Sequence, residues 1–212
     1  MKKSLLIVGA GPMGRVAYSY AMDAFSYSIE AKGFLDSRTH VLDDFAGYPP
    51  IIASVDDYVP QENDVFVVAI GDPTAKMAYV EKLTSKGAKF LSIVHPRAYI
   101  GQNVEIGEGT IIAPNVSITN DVFIGNHVLV GLNSVISHDC RIEDFVSISP
   151  GCHVTGGCKV FRGSFLGVHS AIIPHCEIGS DSGVVVAAGA IVTKSFSSGL
   201  LMGVPAKNRG EA

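Results

Sequence analysis

The chain has 212 residues, a formal net charge of −4 and 47% hydrophobic residues. This is enough apolar material for one large or two small folded domains. The 16 Lys and Arg residues are scattered, which argues against nucleic acid or an anionic membrane as a partner. The apolar run after Met1 is too short for a signal peptide and passes directly into a glycine motif, so a cytoplasmic protein is predicted.

The first part of the chain alternates apolar runs typical of buried strands with helical segments. Strands are predicted at 4–8, 29–35, 64–70 and 89–93, and helices at 15–25 and 73–86. Alternation of this kind predicts a small, Rossmann-like α/β domain with a parallel sheet. We assign it residues 1–94.

A glycine-rich turn, GAGPMG at 9–14, follows the first predicted strand and opens the first helix. Backbone amides at such a turn can hold a phosphate group. Asp36 ends the second predicted strand, where a carboxylate would reach a ribose or a base. The domain is too short for a second mononucleotide-binding half, which favours a nucleotide-bearing substrate over NAD. A turn that serves only to pack helix on strand is the alternative.

From Ala98 to Thr193 the sequence repeats every six residues without a break. A period of six is neither helical nor that of a plain strand, so one unit must be a short strand plus a corner. Three units would close a triangular coil of 18 residues, and sixteen predict a parallel β-helix of about five coils within residues 95–212. Fifteen of the sixteen inward positions hold Ile, Val or Leu: Ile100, Ile106, Ile112, Ile118, Ile124, Val130, Ile136, Ile142, Ile148, Val154, Val160, Leu166, Ile172, Ile178, Val184 and, as the exception, Ala190.

The residue two positions before each inward residue is small, as at Ser134, Ser164 and Ser182. All four cysteines fall in this slot because their separations of 12, 6 and 18 are multiples of six. We therefore predict buried core thiols and neither a disulfide framework nor a metal site. Three histidines, His127, His169 and His175, fall on three different corners, so they do not converge on a metal within one protomer.

An α/β domain joined to this repeat resembles the NeuD-like family of bacterial sugar acyltransferases. The matching motifs are GFLD at 33–36, AIGD at 69–72, VHP at 94–96, SHDC at 137–140 and MGVPAK at 202–207. The family includes sialic-acid O-acetyltransferases and N-acetyltransferases of nucleotide-linked 4-amino sugars. The resemblance implies a left-handed coil and an acetyl-CoA-dependent N-acetyltransferase that acts on a nucleotide-linked 4-amino-4,6-dideoxy sugar for surface glycan synthesis.

The resemblance also assigns residues to roles. His138 with Asp139 is the expected catalytic base. Acetyl-CoA is expected in a groove between neighbouring subunits of a homotrimer, at Ser147, Gly156, Val168 and Val186. The sugar nucleotide is expected at six positions of the first domain: Gly11, Pro12, Met13, Asp36, Ser37 and Gly71. Three positions depart from the family pattern: Ser147 and Met13 stand where many members carry His, and Gly131 where many carry Asn.

Other functions remain open at this point. Within the enzyme class the alternatives are O-acetylation of a sialic-acid-type sugar and, less favoured, serine O-acetylation, whose enzymes usually carry a helical front domain. A non-catalytic nucleotide-binding scaffold is the alternative from another class. The sequence does not specify UDP, dTDP or GDP. Four phenylalanines at non-inward positions are expected to need cover from a neighbouring subunit: Phe123, Phe145, Phe161 and Phe165.

Overall fold

The computed structural model describes residues 2–25, 28–181 and 183–210. The chain divides into two compact units, Met1–Ile93 and Val94–Ala212. Ser182, expected to fill a small inward slot, lies outside the described residues. None of the helices within the described ranges is long and apolar enough to cross a membrane.

The first unit is a four-stranded parallel sheet with two helices, which confirms the predicted α/β class. The sheet order is β3-β2-β1-β4. The adjacent strands β1 and β4 are largely buried, as expected for a parallel sheet covered on both faces. The strands and helices of this unit have the following bounds: β1 Lys3–Val8, α1 Pro12–Phe25, β2 Ile29–Leu35, β3 Ile51–Ala53, β4 Asp64–Val68 and α2 Pro73–Ser85.

Three details of this unit differ from the prediction. Helix α1 begins at Pro12 instead of residue 15, because proline is well suited to a first helical turn, whose N–H groups have no intrahelical partner. The short strand β3 was not predicted. The strand expected at 89–93 does not form: Phe90 makes one isolated bridge to Phe66, and Ile93–Val94 is strand β5 of a sheet in the second unit.

The second unit is the predicted β-helix. Its strands form three sheets, in which successive coils pair in parallel; Ile124 pairs with Ile106 and Ile142. The last strand, β23, pairs antiparallel with β22. The bounds are: β5 Ile93–Val94, β6 Tyr99–Ile100, β7 Glu105–Ile106, β8 Ile111–Ile112, β9 Ser117–Ile118, β10 Phe123–Ile124, β11 Leu129–Val130, β12 Val135–Ile136, β13 Arg141–Ile142, β14 Ser147–Ile148, β15 His153–Val154, β16 Lys159–Val160, β17 Phe165–Leu166, β18 Ala171–Ile172, β19 Glu177–Ile178, β20 Val185–Val186, β21 Ile191–Val192, β22 Leu200–Met202 and β23 Lys207–Asn208.

The repeat is interrupted once, contrary to the expectation of an unbroken pattern. Strand β20 begins eight residues after β19 instead of six. The inward residues of the last coil are therefore Val186 and Val192, both fully buried. Val184 and Ala190, predicted as inward residues, take the preceding small slot instead. Apolar residues occupy both phases here, so the sequence pattern conceals the two-residue shift.

The coils turn at residues with left-handed backbone, mostly Asn, Asp, His or Gly, the types that adopt this conformation most readily. The three corner histidines His127, His169 and His175 are among them. Each imidazole covers a glycine one coil earlier, where a Cβ would overlap the ring: Gly109, Gly151 and Gly157. These rings fill separate corners, as predicted from their positions.

The four cysteines are buried and have free thiols, which confirms their predicted place in the core. Cys140, Cys158 and Cys176 occupy equivalent positions in successive coils. The thiols of Cys140 and Cys158 donate to the carbonyl oxygens of Thr155 and Ile173, at 3.1 and 3.2 Å. Hydrogen bonding therefore satisfies these thiols inside the coil.

Candidate active site

A cleft of about 410 Å³ opens in the first unit at the carboxyl ends of its strands, where open α/β sheets bind ligands. Asp36 and Ser37, two of the predicted substrate residues, line this cleft. Arg38, Tyr79 and Lys82 also line it, and none of these was singled out from the sequence. Lys82 forms an ion pair with Asp56 at 2.5 Å.

The glycine turn serves packing at one of its glycines, and its binding of a phosphate group stays a prediction. Helix α1 packs so closely on β1 that a Cβ at Gly14 would overlap the carbonyl oxygen of Gly9, so Gly14 is needed for packing. Gly11 instead faces the guanidinium of Arg38: a Cβ at Gly11 would lie 3.5 Å from Nη2. The turn therefore contains one packing glycine and one glycine that leaves room beside a cation.

The other predicted substrate residues of this unit lie at neighbouring strand ends. Pro12 and Met13 begin helix α1 after β1. Gly71 follows β4 and precedes Asp72, whose side chain accepts a hydrogen bond from the Ala75 amide and caps α2. A Cβ at Gly71 would meet nothing within 4 Å. Because β1 and β4 are adjacent in the sheet, both turns lie at the same edge.

Four hydrogen bonds occupy the carboxylate of Asp36. Its Oδ1 accepts from the Arg38 amide at 2.9 Å and from Arg38 Nε at 3.0 Å. Its Oδ2 accepts from the Ala10 amide at 2.9 Å and from Arg38 Nη2 at 2.7 Å. Burial alone would raise the pKa of this carboxyl, but the bonds from Arg38 and Ala10 outweigh it and lower the pKa to about 2.

The predicted catalytic pair lies on the corner that follows β12. Nδ1 of His138 is 2.7 Å from Oδ2 of Asp139. Adjacent residues on a straight strand point to opposite faces, but Asp139 has a φ of +59° at the corner, and the two side chains meet. Both are about two-thirds exposed, so the imidazole is open to solvent and to a substrate.

Gly156 lies directly against the ring of His138. A Cβ at this glycine would come within 2.6 Å of Cε1 and 2.7 Å of Nε2. The imidazole therefore rests on the backbone of the next coil, in space that only glycine leaves open. The structure places this predicted acetyl-CoA residue beside the candidate base, as follows from their separation of 18 residues, one coil.

The other three residues predicted to contact acetyl-CoA divide into two groups. Val168 is 41% exposed and available on the surface. Val186 is fully buried because the two-residue shift turns it into the coil, and its side chain cannot contact a surface ligand. Ser147 is also buried, at 1% exposure. The side chains of Val186 and Ser147 therefore lie inside the coil, and the contact of these two positions with acetyl-CoA stays a prediction.

Three of the four phenylalanines expected to need a partner subunit are covered within the chain. Phe145 is buried, with His127 stacked at 5.1 Å between ring centroids. A cation lies over each of the other two rings, Phe123 and Phe161. The Arg141 guanidinium is 4.1 Å from the Phe123 centroid, and the Lys159 ammonium is 3.9 Å from the Phe161 centroid. These rings do not by themselves require a neighbouring subunit.

Among the described residues, no group of three or more His, Cys, Asp or Glu side chains is placed to hold a metal ion.

Comparison with known proteins agrees with this arrangement. The PglD N-terminal domain family matches residues 4–83, and the bacterial transferase hexapeptide family, with its six repeats, matches residues 92–120. The chain is an acyltransferase, and it is similar to the NeuD-like proteins. Its coil is the left-handed β-helix of this class, as the resemblance implied.

Three solved structures are similar to the acyltransferase over nearly its whole length. A His-to-Asn variant of perosamine N-acetyltransferase from Caulobacter crescentus, in complex with CoA and GDP-perosamine, has a TM-score of 0.86 and 26% identity, over 98% of this chain and 97% of that one. The acetyltransferase domain of PglB from Neisseria gonorrhoeae, with acetyl coenzyme A, has a TM-score of 0.85 and 26% identity, over 98% and 100%. WeeI from Acinetobacter baumannii has a TM-score of 0.84 and 25% identity, over 97% and 99%.

Proposed function

We propose that this acyltransferase transfers the acetyl group of acetyl-CoA to the amine of a nucleotide-linked amino sugar, of the 4-amino-4,6-dideoxy class. The observation that carries the proposal is the exposed His138–Asp139 pair on a hexapeptide β-helix. The relatives bound to CoA with GDP-perosamine, and to acetyl coenzyme A, support both co-substrates. Serine O-acetylation loses support, because the front unit is an α/β sheet and not a helical domain.

The proposed role of His138 follows from its hydrogen bond. With Nδ1–H donating to Asp139, the neutral imidazole presents Nε2 as a proton acceptor. The amine nitrogen attacks the thioester carbonyl, a C–N bond forms, the C–S bond breaks, and Nε2 takes the proton that the nitrogen loses. CoA leaves as a thiolate that is then protonated. General-base assistance of this kind contributes on the order of 10²–10⁴ in rate.

The nucleotide is proposed to bind in the cleft of the first unit. Asp36, Ser37 and the turn at Gly11 lie at the strand ends, where this class of sheet binds ligands. We propose NAD as a poor ligand, because the unit has four strands and a single glycine turn, without a second mononucleotide-binding half.

A homotrimer remains part of the proposal, with acetyl-CoA between subunits. The exposed apolar side chains of Val168 and Ile173, at 41% and 38%, support an interface on the β-helix surface. A cytoplasmic location is proposed with it, because acetyl-CoA is a cytoplasmic metabolite. Light scattering at micromolar concentration should give three times the chain mass, and a monomer would contradict the intersubunit site.

The test of the function is release of CoA thiol from acetyl-CoA with a panel of UDP-, dTDP- and GDP-linked amino sugars. We expect release with at least one amino sugar and a product heavier by one acetyl group. Hydroxylamine distinguishes the products, since it cleaves an ester and leaves an amide. An ester product would indicate O-acetylation. Nucleotide binding without any thiol release would indicate a scaffold and overturn the proposal.

A further inference from the structure

We propose that Arg38 binds the diphosphate of the nucleotide and that Asp36 acts through Arg38 without touching the ligand. The inference rests on the proposed function, which places a nucleotide sugar in the cleft of the first unit. It changes the role expected for Asp36, which the resemblance placed at the base of the nucleotide.

The carboxylate of Asp36 has no capacity left to accept a further hydrogen bond. A carboxylate accepts about four hydrogen bonds. Asp36 receives four, from the amides of Ala10 and Arg38 and from Nε and Nη2 of Arg38. Its side chain is only 7% exposed, so a ribose hydroxyl or base N–H would have to displace one of these donors to reach it.

Arg38, in contrast, has hydrogen-bond donors available on the exposed side of this pair. Its two side-chain bonds to Asp36 use Nε and Nη2, which leaves the two N–H groups of Nη1 for another acceptor. The guanidinium side chain is 65% exposed and lines the cleft. The buried carboxylate holds the planar group in one orientation, so little rotamer freedom is lost when it binds.

The position and chemistry of Arg38 suit the diphosphate of the nucleotide. The guanidinium lies beside Gly11, in the turn proposed to hold the nucleotide. The pair presents its cation outwards and its carboxylate inwards, so a ligand that reaches this pair meets the guanidinium first. Lys82, the other cation of the cleft, is engaged by Asp56. A guanidinium fork suits phosphate oxygens better than ribose hydroxyls, which favours the diphosphate.

The experiment is calorimetric titration with UDP, dTDP and GDP, their monophosphates and their nucleosides. Arg38→Ala should weaken diphosphate binding about ten- to hundredfold, the range for a charge-assisted hydrogen bond, and leave nucleoside affinity unchanged. Lys82→Ala, the matched control in the same cleft, should change diphosphate affinity by no more than about twofold. Asp36→Asn should weaken the diphosphates less than Arg38→Ala, because the guanidinium remains but is no longer held.

The double variant decides whether Asp36 acts through Arg38. If it does, Arg38→Ala combined with Asp36→Asn should bind diphosphates about as weakly as Arg38→Ala alone. Additive losses, or a loss of nucleoside affinity in Asp36→Asn, would show that Asp36 touches the ligand. Equal losses for nucleoside and diphosphate in Arg38→Ala would place Arg38 at the base, and no loss would make it a structural partner. Either result overturns this inference alone, while wild-type protein that binds no nucleotide overturns the proposed substrate class with it.

Discussion

The two units of this chain contrast in how their sequence determines the position of side chains. In the β-helix, the position of a residue within the 18-residue coil decides whether it lies inward, beside the corner or at the corner. In the α/β unit, the contacts that build the cleft join residues far apart in sequence, such as Ala10 with Asp36 and Asp56 with Lys82. A repeat therefore predicts the place of most side chains, whereas the residues that build a site in an open sheet come together only when its loops fold.

The largest effect is expected from substitutions at the exposed corner of the β-helix that carries His138 and Asp139. His138→Ala should lower kcat by about 10²–10⁴, the usual contribution of a general base, and leave the KM for acetyl-CoA near wild type. Asp139→Asn should cost less, because the imidazole remains and loses only the group that fixes its tautomer. Steady-state kinetics by thiol release measures both variants. Near-wild-type turnover of His138→Ala at saturating substrate would contradict the assignment.

The second test uses the glycine beneath that ring. Gly156→Ala places a Cβ 2.6 Å from Cε1 of His138, and the ring must move off the coil. A displacement of about 1 Å at a catalytic group can cost about 10² in rate, so kcat should fall by up to this factor. The melting temperature should change little, because Gly156 does not have a left-handed backbone and the exposed ring can yield. A large loss of stability with unchanged kcat would show that the glycine serves only packing.

Most of the β-helix followed from the sequence, since one period fixed the inward residues and the buried cysteines. The exception is the last coil, where Val184 and Val186 both suit the core and the shift between them leaves no trace in the pattern. The coil period of 18 residues would have found two further features: His127 stacks on Phe145, and His138 lies against Gly156.

The α/β unit was predicted as a sheet but not as a site. Asp36 was singled out because it ends a strand, whereas Arg38 gained a role only when the chain closed the glycine turn against it. Lys76 was also missed: it is buried in α2, and burial, opposed in part by Asp72, lowers its pKa to about 7. A lysine at a helical position that reads as exposed gives no sequence signal for such burial.

The third test concerns the shifted last coil. Val186→Ala should lower the free energy of unfolding by about 2 kcal/mol, because it removes buried methyl groups from a close-packed interior. Val185→Ala, in the same strand but only half-buried, is the matched control and should cost much less. Urea denaturation measures both. If Val186→Ala cost no more than Val185→Ala, Val186 would not be an inward residue and the two-residue shift would be wrong.

The smallest expected effect is the pH dependence of the Asp36 pair, and it tests whether the cleft of the α/β unit is preorganised. The pKa of Asp36 falls from 3.8 to about 2 on folding, so the folded state favours the charged carboxylate. This contribution is present above the unfolded pKa and is lost as the pH falls through about 4 towards 2. Because its partner Arg38 is partly exposed, we expect the Asp36 carboxylate to contribute on the order of 1–2 kcal/mol to the free energy of unfolding. Asp36→Asn removes the charge with little change in shape, so the difference in unfolding free energy from wild type should be constant between about pH 5 and 7 and should shrink below about pH 4. A difference that does not vary with pH would mean that the carboxylate gains nothing from Arg38 and that the guanidinium is not held in place for a ligand.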